Sequence, residues 1–214
     1  MKIIETRPEM VSDYCKFENI PLYLIERLDH LVDLDGYDLL IFQSPVAVMT
    51  FDNLPERFSF PIIGMGSGTV RELNRKNLEA LAPKEANSQG AIDLLDKLSF
   101  KKALVIKGKG GLDLIEKYLS SSGVNYDVCE SYARQRLENY LDVKNKFTDL
   151  KGIIFSSVFA VEIFFSEIFN ESLDCHYFAI SERIKKSILK HGHKAIVVDY
   201  FAKDLKQKIE STLT

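Results

Sequence analysis

The sequence predicts an α/β protein built from two parallel β-sheets that helices cover on both faces. Short apolar strands alternate with helical stretches along the 214 residues. The strands have continuous apolar centres, as LLIF within YDLLIFQ at 37–43, which is typical of parallel strands buried on both faces. A strand-end segment also occurs twice, since IFQSPVAV (Ile41–Val48) and IFSSVFAV (Ile154–Val161) match at five of eight positions. The repeat indicates two sheets of similar topology.

Local signals mark the helix ends in the first half of the chain. Pro8, at a first helical turn, begins a helix at 8–19. Asn87 or Ser88 caps the next-to-last helix of this half, and Gly123 ends the last one. The predicted elements are strands at 2–7, 37–43, 60–65 and 101–108, helices at 8–19, 45–54, 68–77, 87–98 and 111–123, and an extended segment at 21–28.

The second half repeats the alternation. IIGMGSGTVRELNRKN and YFAISERIKKSILKHG are both a strand, a small polar turn and a basic amphipathic helix, so the similarity extends beyond the repeated serine. Gly192 ends the second of these helices. The predicted elements are an extended segment at 124–137, strands at 150–157, 176–181 and 194–200, and helices at 158–169, 182–192 and 202–213.

The two halves fit one arrangement of domains. The opening strand and helix have no partner in the middle of the chain, and the C-terminal block lacks a first strand of its own. We therefore expect a discontinuous α/β domain at 1–27 and 134–214 and an inserted α/β domain at 28–133. The crossing segments YLIERLDH (23–30) and CESYARQ (129–135) are extended and alternate in polarity, so they are predicted to pair as a two-stranded β hinge.

Composition and charge argue against several classes of function. The formal net charge is −3, so no global field draws nucleic acid or an anionic membrane surface. No apolar run approaches the ~18 residues of a membrane span, and MKIIETRP contains no apolar signal core. Cys15, Cys129 and Cys175 lie far apart without a CxxC pair, which favours reduced thiols. We expect a cytoplasmic monomer with no nucleic-acid or membrane partner.

Polar residues follow the predicted strands at the edge where open parallel sheets bind ligands. Turn hydroxyls and the N–H groups at helix starts favour anions there. We therefore expect a cleft between the two domains that closes on a sizeable anionic ligand. The candidate binding residues are Ser44, Ser67, Thr69, Lys107, Gly108 and Gly110 on one side and Ser157 and Ser181 on the other. Ser44 and Ser157 can equally cap the helices that follow them, which is compatible with binding.

Other chemistries fit the sequence poorly. KGKGG (Lys107–Gly111) lacks both the GxxxxGK[ST] spacing of a P-loop and the GxGxxG fingerprint, which argues against a nucleotide-dependent α/β enzyme. HGH (His191–His193) lies at a helix end without a third ligand at a suggestive spacing, so we predict no metal site. The sequence places no histidine beside Cys129 that would activate it as a nucleophile.

An ordered set of motifs resembles the uroporphyrinogen-III synthases of tetrapyrrole biosynthesis. The motifs, which cover most of the chain, are TRP (6–8), IFQSPVAV, IIGMGSGTVREL, PKEANSQGAIDLL, ALVIKGKGGLDLIEKYLSSSGVNYDVCESYAR, IIFSSVFAV and FAISERIKKSI. The stretch from Ala103 to Arg134 and the EANSQG helix start are the most specific. Three features depart from the family pattern: the helix after TRP is short, Val158 replaces a proline, and Ile184 replaces a threonine.

The resemblance implies a cofactor-independent lyase. Such an enzyme cyclises hydroxymethylbilane, a linear tetrapyrrole with eight carboxylates, to uroporphyrinogen III. Water leaves, and the last ring is inverted through an azafulvene cation and a spiro intermediate. Tyr132 matches a tyrosine of the family that is implied as the proton donor, so its hydroxyl is expected to face the cleft. A tyrosine phenol is ordinarily protonated at neutral pH and can donate to a departing hydroxyl.

A second class of function fits the same residues, namely a non-catalytic two-domain module that binds or senses an anionic tetrapyrrole. The short first helix and the missing C-terminal threonine favour this alternative. Tyr132, the two repeated serines Ser44 and Ser157, and the KGKGG turn favour the enzyme. Formation of isomer III, rather than the spontaneous isomer I, separates the two functions.

Overall fold

Two five-stranded sheets form the framework of the computed structural model, which describes residues 2–213, with Asp13 and Tyr14 described only through their backbone. The chain divides into two compact units. The discontinuous unit contains residues 1–25 and 135–214, and the inserted unit contains residues 26–134. The predicted fold class, α/β with two mostly parallel sheets, is confirmed. The predicted domain boundaries, the hinge and the cleft remain proposals.

The sheet of the discontinuous unit is parallel throughout. Its strands are β1 (Lys2–Glu5), β2 (Glu18–Asn19), β8 (Leu150–Phe155), β9 (His176–Ala179) and β10 (Ala195–Val197), in the spatial order β10-β9-β8-β1-β2. On the central strand β8, Ile153 and Phe155 join one hydrophobic cluster and Ile154 joins another. Both faces are therefore buried, which explains why LKGIIF shows no polar alternation.

The sheet of the inserted unit has the same kind of interior. Its strands are β3 (Tyr23–Arg27), β4 (Leu39–Phe42), β5 (Ile62–Gly64), β6 (Lys102–Gly108) and β7 (Asn125–Arg136), in the order β3-β7-β6-β4-β5. The β4–β5, β4–β6 and β6–β7 pairs are parallel. Leu39 and Ile41 of β4 and Val105 of β6 pack in one buried cluster with the helices that cover this face.

The predicted helices after residue 40 are present with shorter ends. The helices are α1 (Pro45–Thr50), α2 (Ser67–Arg75), α3 (Ser88–Leu95), α4 (Leu114–Ser121), α5 (Leu141–Lys144), α6 (Val158–Ile163), α7 (Glu182–Lys190) and α8 (Leu205–Thr212). Helix α6 continues as a π-helix at Phe164–Ile168, and α5 was not predicted. Asn87 caps α3, because its Oδ1 accepts a hydrogen bond from Gly90 N at 2.8 Å. Gly123 follows α4 at φ 69°, as its predicted role as a helix end requires. The described helices include none that is long and apolar enough to cross a membrane.

The prediction of a helix at 8–19 is wrong. A 3-10 helix occupies Glu9–Tyr14, and the chain then becomes the short strand β2. The cause lies in Glu5, whose Oε1 accepts hydrogen bonds from the backbone N–H groups of Lys16 at 2.7 Å and Phe17 at 2.9 Å. These N–H groups therefore bond to a side chain instead of to helix carbonyls, and an α-helix cannot continue through them.

The chain passes between the two units within β3 and within β7. β3 lies beside β7 at the edge of the second sheet, and Leu28 N donates to Ser131 O at 3.1 Å. The pairing of the two crossing segments was predicted from their extended, alternating pattern. Their action as a hinge stays a prediction.

Candidate functional site

In the inserted unit, the ends of two strands meet a tyrosine. Ser44 follows β4 and caps α1, because its Oγ accepts a hydrogen bond from Ala47 N at 3.1 Å. The same Oγ lies 3.0 Å from the hydroxyl oxygen of Tyr132 on β7. The cap and the tyrosine contact therefore use one side chain, and Ser44 fixes the phenol relative to the end of β4.

Gly108, the last residue of β6, leaves the space that the Tyr132 ring occupies. Gly108 and Tyr132 face each other in the β6–β7 register. A Cβ atom at position 108 would lie 2.5 Å from the Cζ atom of Tyr132, far inside van der Waals contact. Lys109 N also donates to Tyr132 O at 2.7 Å, which ties the turn after β6 to the tyrosine backbone. Only glycine at position 108 allows this approach.

Arg134 is the charged neighbour of the phenol. Its Nη2 donates a hydrogen bond to the Tyr132 hydroxyl at 3.1 Å, and its Cζ lies 5.3 Å from the centre of the tyrosine ring. Arg134 is half-buried, whereas Tyr132 is only 2% exposed. The phenol is therefore covered in this structure, although the sequence led us to expect an open hydroxyl.

The turn after β6 already holds one carboxylate. Gly110 has φ 67° and its N–H donates to the Glu130 carboxylate at 3.3 Å, while Gly111 N closes the turn onto Gly108 O at 3.0 Å. A backbone N–H in this position can equally donate to a ligand carboxylate. The predicted binding role of Gly108 and Gly110 stays a prediction.

Lys107 has a partner inside the inserted unit. Its Nζ pairs with the Glu116 carboxylate of α4 and donates to Leu112 O at 2.9 Å, and both charged side chains are buried. A ligand carboxylate would have to displace Glu116 to reach this ammonium group. Binding of substrate by Lys107 stays a prediction that the observed pairing disfavours.

The start of α2 contains the remaining predicted residues of this unit. Gly66, at φ 110°, precedes the helix without a side-chain cap. Ser67 is exposed, whereas Thr69 is 2% exposed and donates its backbone N–H to Gly66 O at 3.1 Å. Ser67 is therefore the more accessible of the two predicted ligands.

The discontinuous unit repeats the serine–tyrosine contact. Ser157 caps α6 through a 3.1 Å bond from Ala160 N, and its hydroxyl donates to the hydroxyl of Tyr23 at 3.2 Å. Tyr23 is 3% exposed and packs edge-on against Phe159. Ser181 caps α7 in the same unit, accepting a bond from Ile184 N at 3.4 Å. The sequence repeat therefore has a counterpart in side-chain contacts.

Two of these residues were missed by sequence reasoning. Arg134 lies two positions after Tyr132, within the most specific resemblance motif, and received no role. Tyr23 lies in the first crossing segment, and Tyr132 lies in the second. Because the serine recurs in both halves of the chain, a tyrosine partner could have been sought for each serine. Each is found only when the contact of its hydroxyl or guanidinium group is known.

The remaining reactive side chains take no part in the site. Burial, and secondarily the Glu130 carboxylate, raise the pKa of the Cys129 thiol to about 11, so it is a poor nucleophile at neutral pH. His191 and His193 stack on Phe165 at the surface of the discontinuous unit, with ring centroids 4.5 Å and 5.0 Å away. Across the described part of the chain, no three His, Cys, Asp or Glu side chains form a group able to hold a metal ion.

The fold and the polar strand ends define a class, an α/β protein of two parallel-sheet units. A family model described as "Uroporphyrinogen-III synthase HemD" matches residues 18–207. This chain belongs to that family. The match confirms the family and the lyase class predicted from the sequence, whereas no curated protein sequence matches the chain significantly.

Solved structures support the fold. Uroporphyrinogen-III synthetase from Helicobacter pylori 26695 is similar with a TM-score of 0.70 at 15% identity, over 100% of this chain and 99% of that one. A mutant uroporphyrinogen III synthase from the extremely thermophilic bacterium Thermus thermophilus is similar with a TM-score of 0.62 at 16% identity, over 100% and 98% of the two chains. At these identities the likeness concerns the fold.

Proposed function

We propose that this protein cyclises hydroxymethylbilane to uroporphyrinogen III, with inversion of the last pyrrole ring and loss of water, in tetrapyrrole biosynthesis. The observation that supports this most strongly is the family match over residues 18–207. The reaction demands little covalent chemistry from a protein. It needs an acid for the departing hydroxyl, a surface that folds the linear substrate so that its ends meet, and donors for its carboxylates.

Tyr132 is the proposed acid. Its hydroxyl is held by Ser44 Oγ at 3.0 Å and by Arg134 Nη2 at 3.1 Å. When both neighbours donate, the phenol hydrogen is free to be given to the substrate hydroxyl. The cover over the ring has to move before the phenol meets the substrate, because Tyr132 is only 2% exposed.

The carboxylates of the substrate are proposed to bind at the strand ends of both units. The turn at Gly108–Gly111 supports this for the inserted unit, because one of its N–H groups already bonds a carboxylate at 3.3 Å. The proposed substrate ligands are Ser44, Ser67, Thr69, Lys107, Gly108, Gly110, Ser157 and Ser181. Holding the two reacting ends together contributes about 7–11 kcal/mol to lowering a barrier of this kind.

The finer features are proposals too. We propose a cytoplasmic monomer whose partner is the polycarboxylate tetrapyrrole, and which uses no cofactor, nucleic acid or membrane. The formal net charge of −3 supports the absence of a polyanionic macromolecular partner.

Product analysis tests the function directly. Purified protein is given enzymatically generated hydroxymethylbilane, and the two isomers are separated after oxidation to the porphyrins. We expect isomer III in excess over isomer I, which forms alone without enzyme. A product mixture equal to that of the protein-free control would overturn the proposal and favour the non-catalytic binding module.

Tyr132→Phe tests the proposed acid. The change removes the hydroxyl and keeps the ring, so packing on Gly108 is retained. A positioned general acid typically contributes about 10²–10⁴-fold, and this substrate also ionises by itself, so we expect isomer III formation to fall at least about tenfold. Tyr126→Phe, the same change on the same strand, is the control. Equal turnover by the Tyr132 and Tyr126 variants would make Tyr132 a packing residue only.

A further inference from the structure

We propose that Arg134 is a positioning residue that acts through Tyr132, holding the phenol oxygen in place and stabilising the phenolate that forms when the phenol loses its proton. The proposal rests on the proposed function and assigns a role to a residue outside the predicted site. Arg134 Nη2 lies 3.1 Å from the Tyr132 hydroxyl, and the guanidinium carbon lies 5.3 Å from the ring centre.

A count of donors and acceptors shows which arrangement frees the phenol proton. A hydroxyl has one donor hydrogen and two acceptor positions. Ser44 Oγ accepts from Ala47 N at 3.1 Å and keeps a second acceptor position, so either hydroxyl can donate across its 3.0 Å contact with Tyr132. Arg134 has no acceptor positions and can only donate. In the arrangement in which Ser44 donates, Ser44 and Arg134 fill the two acceptor positions of the Tyr132 oxygen, and the phenol hydrogen is free for a third partner. This is the arrangement that the proposed acid requires.

The third partner is the substrate. Proton transfer from the Tyr132 oxygen to the substrate hydroxyl breaks the carbon–oxygen bond, and water leaves with its electron pair. A neutral phenol and a neutral alcohol thus become a phenolate and an azafulvene cation. The phenolate regains a proton when the cyclised product loses one from carbon. Through the first of these steps the phenolate oxygen carries the negative charge, and a guanidinium group at hydrogen-bond distance stabilises it.

Arg134 has no competing carboxylate in the part of the chain that the structure describes. There, Arg7, Arg27, Arg75 and Arg136 each pair with a carboxylate, whereas Arg134 forms no ion pair. Its contacts go to the hydroxyl and the ring of one tyrosine. The positive charge of Arg134 therefore acts on the Tyr132 phenol.

A double-mutant cycle tests the coupling. The single variants Arg134→Met, Arg134→Lys and Tyr132→Phe and the double variant Arg134→Met with Tyr132→Phe are assayed for isomer III at saturating substrate. We expect Arg134→Met to slow isomer III formation about ten- to hundredfold, the size of one charge-assisted hydrogen bond. Arg134→Lys should restore part of the rate. In the Tyr132→Phe background, Arg134→Met should add less than about twofold, because its target is gone.

Arg27→Met is the matched control. Arg27 is an exposed arginine of the inserted unit that pairs with Asp52 at 2.9 Å and bonds Met49 O, at the end of α1 opposite Ser44. An equal loss from Arg134→Met in both backgrounds would show a structural role and overturn the proposal. An unchanged rate in Arg134→Met would overturn it as well. If Tyr132→Phe turns over normally while the parent makes isomer III, the acid and its positioning residue both fail and the function stands.

A second readout does not depend on turnover. In protein labelled with ¹³C at tyrosine Cζ, the Tyr132 signal is assigned by its loss in Tyr132→Phe. We expect this signal to move in Arg134→Met and to stay in Arg27→Met. An unmoved signal would mean that the contact is absent in solution and would overturn the proposal, even if the parent protein made only isomer I.

Discussion

The contact between Gly108 and Tyr132 shows how the backbone of one strand limits the side chain of the next. The β6–β7 register places the two residues side by side, and the missing Cβ of Gly108 is the space that the ring fills. The ring can approach the strand end only because position 108 is a glycine. The hydrogen bonds of Ser44 and Arg134 to the phenol then follow from that approach.

Gly108→Ala should separate this approach from general stability. The new methyl group would lie 2.5 Å from Tyr132 Cζ, so the ring has to leave its place. We expect isomer III formation to fall about as far as in Tyr132→Phe. Overpacking should lower the free energy of unfolding by about 1–3 kcal/mol, measured by urea denaturation.

Gly123→Ala is the control for this prediction. Gly123 has φ 69° and no atom within 4 Å of the position that a Cβ would take, so alanine there strains only the backbone. This variant should lose stability with its activity kept. A Gly108→Ala enzyme as active as Gly123→Ala would contradict the role assigned to the glycine.

Single residues of the site were predictable to different degrees. Tyr132 and the two strand-end serines came from motifs that are local in sequence. Tyr23 did not, because its hydrogen bond to Ser157 joins residues 134 positions apart. Arg134 lies only two positions from Tyr132 on the same strand, but that spacing does not show that its guanidinium group bonds the phenol. The spacing of residues in the sequence does not show which serine hydroxyl contacts which tyrosine hydroxyl.

At the level of elements, Glu5 decides how the chain continues after the first strand. Its buried carboxylate accepts bonds from Lys16 N, Phe17 N and the Tyr200 hydroxyl, and Arg7 Nε donates to it at 3.1 Å. Burial also raises the pKa of Tyr200, with the hydrogen bond to Glu5 acting in the same direction. One side chain thus joins the first strand, the start of β2 and the segment before α8.

Glu5→Gln should therefore weaken the discontinuous unit. The amide keeps the shape, loses the charge and leaves the Arg7 guanidinium without its ionic partner. Removing one member of a buried ion pair costs about 3–5 kcal/mol, and we expect a loss of that size in chemical denaturation. Glu18→Gln, an exposed glutamate on β2, should change stability by less than about 0.5 kcal/mol. Equal effects of the two substitutions would refute the assigned role.

Most elements could be predicted because apolar runs and helix caps are local signals. The strand LLIF and the Asn87 cap are examples in which the residues alone determine the element. The prediction of the first helix failed because the Glu5 side chain accepts hydrogen bonds from N–H groups more than ten positions away. Such a bond leaves no local pattern in the sequence. The helix predicted to start at Pro8 was therefore extended beyond Tyr14, where the 3-10 helix ends.

At the scale of the whole molecule, the inserted unit is a continuous piece of chain with its own core. Residues 26–134 contain the strands β4, β5 and β6, most of β7 and the helices α1–α4. Leu39, Ile41 and Val105 are each fully buried in it. A fragment of this size is typical of domains that fold alone.

The isolated fragment 26–134 should therefore fold. We expect native-like circular dichroism and a cooperative thermal transition, because its main cluster contains only its own residues. The same fragment with Val105→Asp, which places an unpaired charge in the core, should stay unfolded. A parent fragment as disordered as this variant would show that the inserted unit depends on the rest of the chain.

The parallel pairing of β1 with β8 has a consequence for synthesis on the ribosome. β1 ends at Glu5, and its neighbour β8 begins at Leu150, so about 145 residues are translated between them. At about 5–20 residues per second, the first strand waits roughly 7–30 s for its partner. The inserted unit emerges complete within that interval. The nascent chain therefore exposes the apolar residues Ile3 and Ile4 until late in translation. We expect a ribosome-associated chaperone to bind this segment of the polypeptide.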